Sequence, residues 1–191
     1  MSMSQRTMWE ERHRAGATPG DPEPSVLEML PLMPHGIALD VAAGTGRNAF
    51  PLARIGIKVV TADFSETGMR AIAELARRER LPIAPVVADL EETFPFRPES
   101  FDVVLNVTFL HRELVPRLKR ALRRGGVLLF DTFLIDQAAS GHPRDPRFLL
   151  KHYELREFLG DMDLLRSREG IVTYPGDKHA WRAVALARRR D

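Results

Sequence analysis

From Ile37 onward the chain alternates short apolar runs with longer stretches in which apolar positions recur at helical spacing. Five runs read as strands: Ile37-Ala-Leu-Asp-Val, Lys58-Val-Val-Thr-Ala, Ala84-Pro-Val-Val-Ala, Phe101-Asp-Val-Val-Leu-Asn and Val127-Leu-Leu-Phe-Asp. Each is apolar at neighbouring positions, as a strand covered on both faces must be. Between the second and third, Met69, Ile72, Ala73, Leu75 and Ala76 form an apolar stripe that runs into the charged Arg77 to Arg80, which predicts a packed crossover helix over 66–80. Between the fourth and fifth, Leu110, Leu114, Leu118, Ala121 and Leu122 mark a second helix, and Arg124-Gly-Gly is expected to close it with glycine just past its end. This alternation predicts βαβ units and a parallel sheet.

After Asp131 the pattern changes. Residues 138–146 contain glycine, two prolines and no periodicity, so they read as a surface loop, and 149–159 resume a helical pattern. Two extended runs, 164–172 and 180–187, flank the turn-rich Tyr174-Pro-Gly-Asp-Lys, which predicts a hairpin whose last strand runs antiparallel. Residues 1–24 are charged and carry Pro19, Pro22 and Pro24; they are expected to form a helical arm or lid outside the sheet. A chain of 191 residues fits one such domain around a single sheet, 1–191.

Composition narrows the chemistry. With no cysteine, disulfides, thiolate metal sites and cysteine nucleophiles are excluded, which is compatible with a cytoplasmic location. The longest apolar runs, 103–110 and 125–130, fall far short of the ~20 residues of a bilayer helix. The first residues lack an apolar h-region, so neither a membrane span nor a secretory signal is expected. Basic and acidic residues nearly cancel, 28 against 26, and no basic stripe with interleaved aromatics is present, so a nucleic-acid partner is not expected. His111, His142, His152 and His179 show no metal-ligand spacing and no acidic residue completes a triad with them; no metal is expected. The pattern carries no signal of oligomeric state.

The densest chemical signal is Leu39-Asp-Val-Ala-Ala-Gly-Thr-Gly-Arg-Asn-Ala, which joins the first strand to the next helix. Gly44 and Gly46 let backbone approach a ligand at that turn, and the helix that follows points its amides there. Asp63 ends the second strand, about 20 residues beyond Gly44, where a carboxylate can accept two hydrogen bonds from a ribose diol. Asp89 ends the third. Singly, each of Asp40, Asp63 and Asp89 reads equally well as a helix cap or a solvated loop residue. Together they lie along the carboxyl edge of a parallel sheet, where such sheets bind ligands.

The series Asp40-x-x-x-Gly44-x-Gly46, Asp63, Ala88-Asp89-Leu90, Phe101-Asp-Val-Val and Leu122-x-x-Gly-Gly-Val resembles the motifs of class I S-adenosylmethionine-dependent methyltransferases. Within that superfamily, 106–112, Asp131-Thr-Phe, Arg168-Glu-Gly-Ile-Val and Trp9-Glu-Glu-Arg-His are similar to bacterial small methyltransferases of the tellurite-resistance and thiopurine-like type. The resemblance implies an α/β fold, a Rossmann-like three-layer sandwich with a seven-stranded, mostly parallel sheet of order 3-2-1-4-5-7-6 and an antiparallel last strand. It implies S-adenosyl-L-methionine as cofactor and a small-molecule methyl acceptor. Gly44 and Gly46 would line the methionine portion, Asp40 would organise the turn and the amino group, and Asp63 would hold the ribose. Asp89 would accept from the adenine amino group, Leu90 would offer its backbone amide to the ring, and Phe64 would stack beside it. Asn106 would contact the methionyl portion through its main chain. Arg12 follows Trp9 by three, so both could lie on one face of a helix that closes over the cofactor carboxylate, or on a solvated helix with one packed tryptophan.

Methyl transfer from a sulfonium is an in-line displacement, and a base is needed only when the acceptor must lose a proton. Phe109, His111, Arg112, Phe133, His142 and His179 follow the strands that should face the acceptor. His111 is the best-placed candidate base, with a surface or helix-capping role as the ordinary alternative. Arg188-Arg-Arg could bind phosphate or be a solvated end. Three other readings stay open. Gly44-Thr-Gly-Arg-Asn-Ala49 also fits the nicotinamide-dinucleotide fingerprint of an NAD(P)-dependent oxidoreductase, although Asp40 would face a pyrophosphate. The methyl acceptor could be RNA or protein, although no motif for flipping a base is present. A cofactor-binding protein without catalysis would carry the same residues.

Overall fold

The computed structural model describes residues 7–8, 10–11 and 18–190. Residues 7, 8, 10 and 11 are helical. Trp9 and Arg12, and with them the expected closure of the arm over a cofactor, lie outside the described residues.

Seven strands form one sheet: β1 (Ile37–Val41), β2 (Lys58–Asp63), β3 (Ile83–Val87), β4 (Phe101–Val107), β5 (Leu122–Phe133), β6 (Asp163–Tyr174) and β7 (Lys178–Arg188). Their order is β3-β2-β1-β4-β5-β7-β6, as the resemblance implied. The pairs among β1 to β5 are parallel, and β7 runs antiparallel to both β5 and β6. Among residues 18–190, six α-helices accompany the sheet: α1 (Pro24–Met29), α2 (Ala49–Arg54), α3 (Glu66–Glu79), α4 (Val115–Ala121), α5 (Gln137–Ser140) and α6 (Glu154–Phe158).

The apolar strands divide their side chains between two layers because neighbours along a strand point to opposite faces. Leu39, Val41, Val104, Leu128 and Phe130 pack with Leu118 of α4 and Leu155 of α6. Ala38, Val103, Leu105, Val127 and Leu129 pack with Val26 of α1 and Leu52 of α2. The α3 stripe behaves as its spacing requires: Met69, Ile72 and Ala76 are buried, and the Ser65 hydroxyl caps the first turn by accepting from the Gly68 amide at 3.1 Å.

Two helical readings are corrected. The run from Leu110 to Leu122 is broken into a loop, a 3-10 turn (Arg112–Leu114) and α4, and Leu122 already belongs to β5, paired with Phe101. Arg124-Gly-Gly therefore sits in the irregular start of a strand rather than past a helix. The ladder shifts register there, and a Cβ on Gly126 would come within 3.0 Å of the Arg123 and Asp102 carbonyl oxygens, so glycine answers to backbone crowding. In 149–159 only Glu154–Phe158 is helical; Leu149 and Leu150 are buried, and Leu150 bridges Leu134 instead. Apolar spacing could not separate one turn of helix from an extended segment pinned beside the sheet. No helix of the described residues is long and apolar enough to cross a membrane.

Candidate functional site

The register sets Val41 beside Ala62 on one side and Asn106 on the other, so the carboxyl ends of β1, β2 and β4 lie level. Asp63 pairs with Val87 at the end of β3, and Asp89 follows two residues later. Asp40, Asp63, Asp89 and Asn106 thus share one sheet edge, as the parallel reading required.

Asp40 is 1% exposed. Its Oδ2 is buried and has no hydrogen-bond partner. Burial pushes its pKa up to about 7; the Arg47 guanidinium opposes the rise and the Asp63 carboxylate adds to it. Asp63 is also buried, and its carboxylate spans the turn: Oδ2 accepts from the Gly44 amide and Oδ1 from the Ser65 amide, both at 2.9 Å. Asp63 therefore fastens the β2 end to the glycine turn.

The two glycines have different reasons. Gly44 has φ of +57° in the turn itself, on a half-buried backbone. Gly46 has φ of +85°, and a Cβ there would lie 2.9 Å from Ile72 Cγ1 and 3.1 Å from Phe50 Cε2. Its missing side chain admits α3 and α2 against the turn, so core packing requires glycine at Gly46 in addition to any approach of a ligand to its backbone.

On the neighbouring side, Asp89 opens a turn and accepts from the Glu91 amide at 3.0 Å. Leu90 is buried in the core, which leaves its main chain as the part available to a ligand. Phe64 is half-buried after β2. Asn106 is buried, and its side-chain amide donates to the Phe109 carbonyl at 2.7 Å, bending the chain after β4.

That bend carries the candidate acceptor residues. Thr108 holds φ of +60°, an unusual setting for a β-branched residue. His111 is half-buried at the start of the 3-10 turn; its side chain caps nothing, and its Nδ1 is buried without a partner. Arg112 is a structural clamp, with a two-point pair to Glu154 at 2.6 and 3.0 Å and bonds to the Arg147 and Leu149 carbonyls. His142 and His179 are exposed. Phe133 lies under the Arg182 guanidinium, 4.4 Å from its ring centre. Of the terminal arginines, Arg189 pairs with Glu99 and Arg190 with Asp163, each at 2.8 Å, so both tie the C-terminal end to the body.

The largest feature that sequence reasoning missed is a buried polar cluster behind Thr108. Arg182, 2% exposed, donates to Asp131 Oδ1 at 2.8 Å and to the Thr108 hydroxyl at 3.2 Å. Arg47 reaches the same hydroxyl at 3.1 Å and pairs with Glu23 at 3.0 Å. Ser25 donates to Asp131 and Tyr174 to Glu23. Two guanidinium cations thus meet two carboxylates drawn from distant parts of the chain. Burial raises the Asp131 pKa while Arg182 opposes the rise; burial also raises that of Tyr174. The signal was present: Asp131 and Arg182 interrupt otherwise apolar strands, and a buried charge requires a partner. Folding also gathers Asp136, at 2.8 Å, and Glu169, at 3.5 Å, around His152, a grouping that linear spacing does not show; these three line or adjoin a pocket with Tyr153, Arg156 and Trp181.

Residues 39–130 match the family described as methyltransferase domain. Over 115 residues the chain is 37% identical to a demethylmenaquinone methyltransferase of Beutenbergia cavernae, covering 57% of this chain and 45% of that protein. Over 99 residues it is 32% identical to a ubiquinone biosynthesis O-methyltransferase of Mesorhizobium japonicum, covering 49% and 39%. The fold is similar to that of TehB from Haemophilus influenzae, with a TM-score of 0.75 and 22% identity over 88% of this chain and 62% of that one. Just under half of the chain is thus similar to a methyltransferase domain, and the fold is shared with TehB over most of its length.

The chain's matches take in less than half the length of these two curated relatives. The residues at this edge favour a cationic ligand on one structural ground. A buried carboxylate oxygen without a partner, at Asp40 beneath the glycine turn, suits a ligand bearing a cationic group, and two carboxylates at one edge do not suit a diphosphate.

Proposed function

We propose that the protein transfers a methyl group from S-adenosyl-L-methionine to a small-molecule acceptor. The observation that carries the reading is the row of Asp40, Asp63 and Asp89 along the carboxyl edge of the parallel sheet, with the unpartnered Asp40 oxygen under the turn. The names of the curated relatives, which concern demethylmenaquinone and ubiquinone biosynthesis, support a small acceptor. The absence of cysteine is consistent with a cytoplasmic setting.

In this reading Asp63 holds the ribose hydroxyls, keeping its bonds to the Gly44 and Ser65 amides so that the turn and the ribose are set together. Asp89 accepts from the adenine amino group, the Leu90 amide meets the ring, and Phe64 stacks beside it. Gly44, Gly46 and the Asn106 main chain line the methionine portion, and Asp40 faces its amino group. Arg12 is assigned to the carboxylate. When bound, the cofactor supplies the sulfonium methyl; the chain supplies alignment and a dry pocket. His111 takes the acceptor's proton where the acceptor must lose one, through the ring nitrogen the fold leaves without a partner.

Calorimetric titration with S-adenosylhomocysteine, with NADH and NADPH in parallel, tests the reading. Micromolar binding of S-adenosylhomocysteine alone is expected. Preference for a nicotinamide cofactor would overturn the roles of Asp40, Asp63 and the glycine turn together, and tight binding without turnover across an acceptor panel would leave a cofactor-binding protein.

A further inference from the structure

Asp40 poses a problem of charge. Its carboxyl group lies at the end of β1, 1% exposed, with Oδ2 sealed from water and bonded to nothing. An ionised carboxylate is stable in such a place only if a cation or several hydrogen-bond donors compensate it. Among the described residues two charged groups act on it: Arg47 from the glycine turn and Asp63 from the end of β2. Arg47 is already committed, to Glu23 at 3.0 Å and to the Thr108 hydroxyl at 3.1 Å. Asp63 repels. The turn thus gathers two carboxylates, and the guanidinium that acts on Asp40 is shared with a third, Glu23.

We propose that Asp40 carries a proton in the ligand-free protein and releases it to solvent when a cationic group docks over the glycine turn, so that cofactor binding is coupled to proton release. The inference rests on the cofactor reading above and deepens it by fixing the charge state of the site. The exchange balances without any bond to the ligand: the Asp40 O–H bond breaks, the proton goes to buffer, and the carboxylate left behind pairs with the ligand's ammonium group. Because burial places the Asp40 pKa at about 7, the exchange falls within the physiological range, and affinity for the cationic ligand rises with pH up to and through neutrality. A dinucleotide would have the opposite signature. Its diphosphate is an anion, favours the neutral carboxyl, and binds without releasing this proton.

The test is titration calorimetry with S-adenosylhomocysteine in two buffers of different ionisation enthalpy, at pH 6.5 and 7.5, on the wild type and Asp40→Asn. The dependence of apparent enthalpy on buffer counts the protons released. With the pKa at about 7, the wild type is expected to release roughly 0.8 proton at pH 6.5 and roughly 0.2 at pH 7.5. Asp40→Asn, which has the shape of the protonated side chain, is expected to bind without that pH-dependent release. Equal enthalpies in both buffers at both pH values, or the same release in the variant as in the wild type, overturns the proposal and leaves the cofactor standing. Failure of S-adenosylhomocysteine to bind the wild type overturns both. Should the variant not bind, carbon-13 spectra of the free protein decide: a carboxyl resonance titrating near pH 7 and missing from Asp40→Asn supports the proposal, and its absence ends it.

Discussion

Replacing Arg182 by methionine removes one guanidinium from the buried polar cluster behind Thr108 while keeping an unbranched chain of similar length. In the wild type that group lies 2.8 and 2.7 Å from Asp131 Oδ1 through two of its nitrogens, donates to Thr108 at 3.2 Å and lies 4.4 Å from the centre of the Phe133 ring. Asp131 is 1% exposed, and after the substitution the Ser25 hydroxyl is the side-chain partner it retains. Breaking a buried pair by removing one member costs about 3–5 kcal/mol, a large part of the ~5–15 kcal/mol that holds a typical domain folded. The loss depends on pH. Burial already raises the Asp131 pKa, and Arg182 opposes that rise, so its removal lets the pKa climb further. A raised folded-state pKa means that the folded state binds more protons than the unfolded chain between the two values. Stability therefore falls as pH rises through that window. Urea unfolding followed by circular dichroism at pH 5 and pH 8 should show a larger deficit at pH 8. Adding Asp131→Leu to Arg182→Met should recover most of it, because no uncompensated charge is left. A deficit below about 1 kcal/mol at pH 8, or an equal deficit at both pH values, would refute the argument.

Gly46→Ala places a methyl 2.9 Å from Ile72 in a backbone conformation that L residues rarely adopt, so it should cost about 1–3 kcal/mol in thermal unfolding; an unchanged Tm would show that the turn and α3 can move apart. Asp63→Ala should weaken S-adenosylhomocysteine binding by about 1.5–3 kcal/mol in calorimetry, the range for charge-assisted hydrogen bonds, and full affinity in the variant rules out the ribose assignment. Once an acceptor is identified, His111→Ala should lower kcat by about 100-fold with less change in KM; full turnover would reduce His111 to a packing residue.

The sheet was legible because parallel strands covered on both faces must be continuously apolar, and all five such runs formed strands with ends within a few residues of their expected places, apart from the early start of β5 at Leu122. The ligand edge was legible for a related reason. Asp40, Asp63 and Asp89 stand where apolar runs stop, and parallel topology converts that linear regularity into a shared edge. The resemblance supplied the strand order, including the antiparallel β7, which no local pattern encodes.

What the sequence left open depends on contacts between distant segments. The spacing from Leu110 to Leu122 suited a helix, but pairing of Leu122 with Phe101 claimed its last residue for the sheet. Gly46 read as a place for ligand approach, and only the positions of Ile72 and Phe50 show that its missing side chain is required by packing. Arg112 looked available to an acceptor until folding brought Glu154 to it across 42 positions. Arg182 joins Asp131 and Glu23 by the same means. By itself the sequence determined what is periodic or local: strands, the crossover helix, the turn and the carboxylates that end the strands. The tertiary structure alone decided which charges are buried, which partner each one finds and which ring nitrogen or carboxylate oxygen finds none, because desolvation and pairing depend on three-dimensional surroundings that linear spacing does not specify.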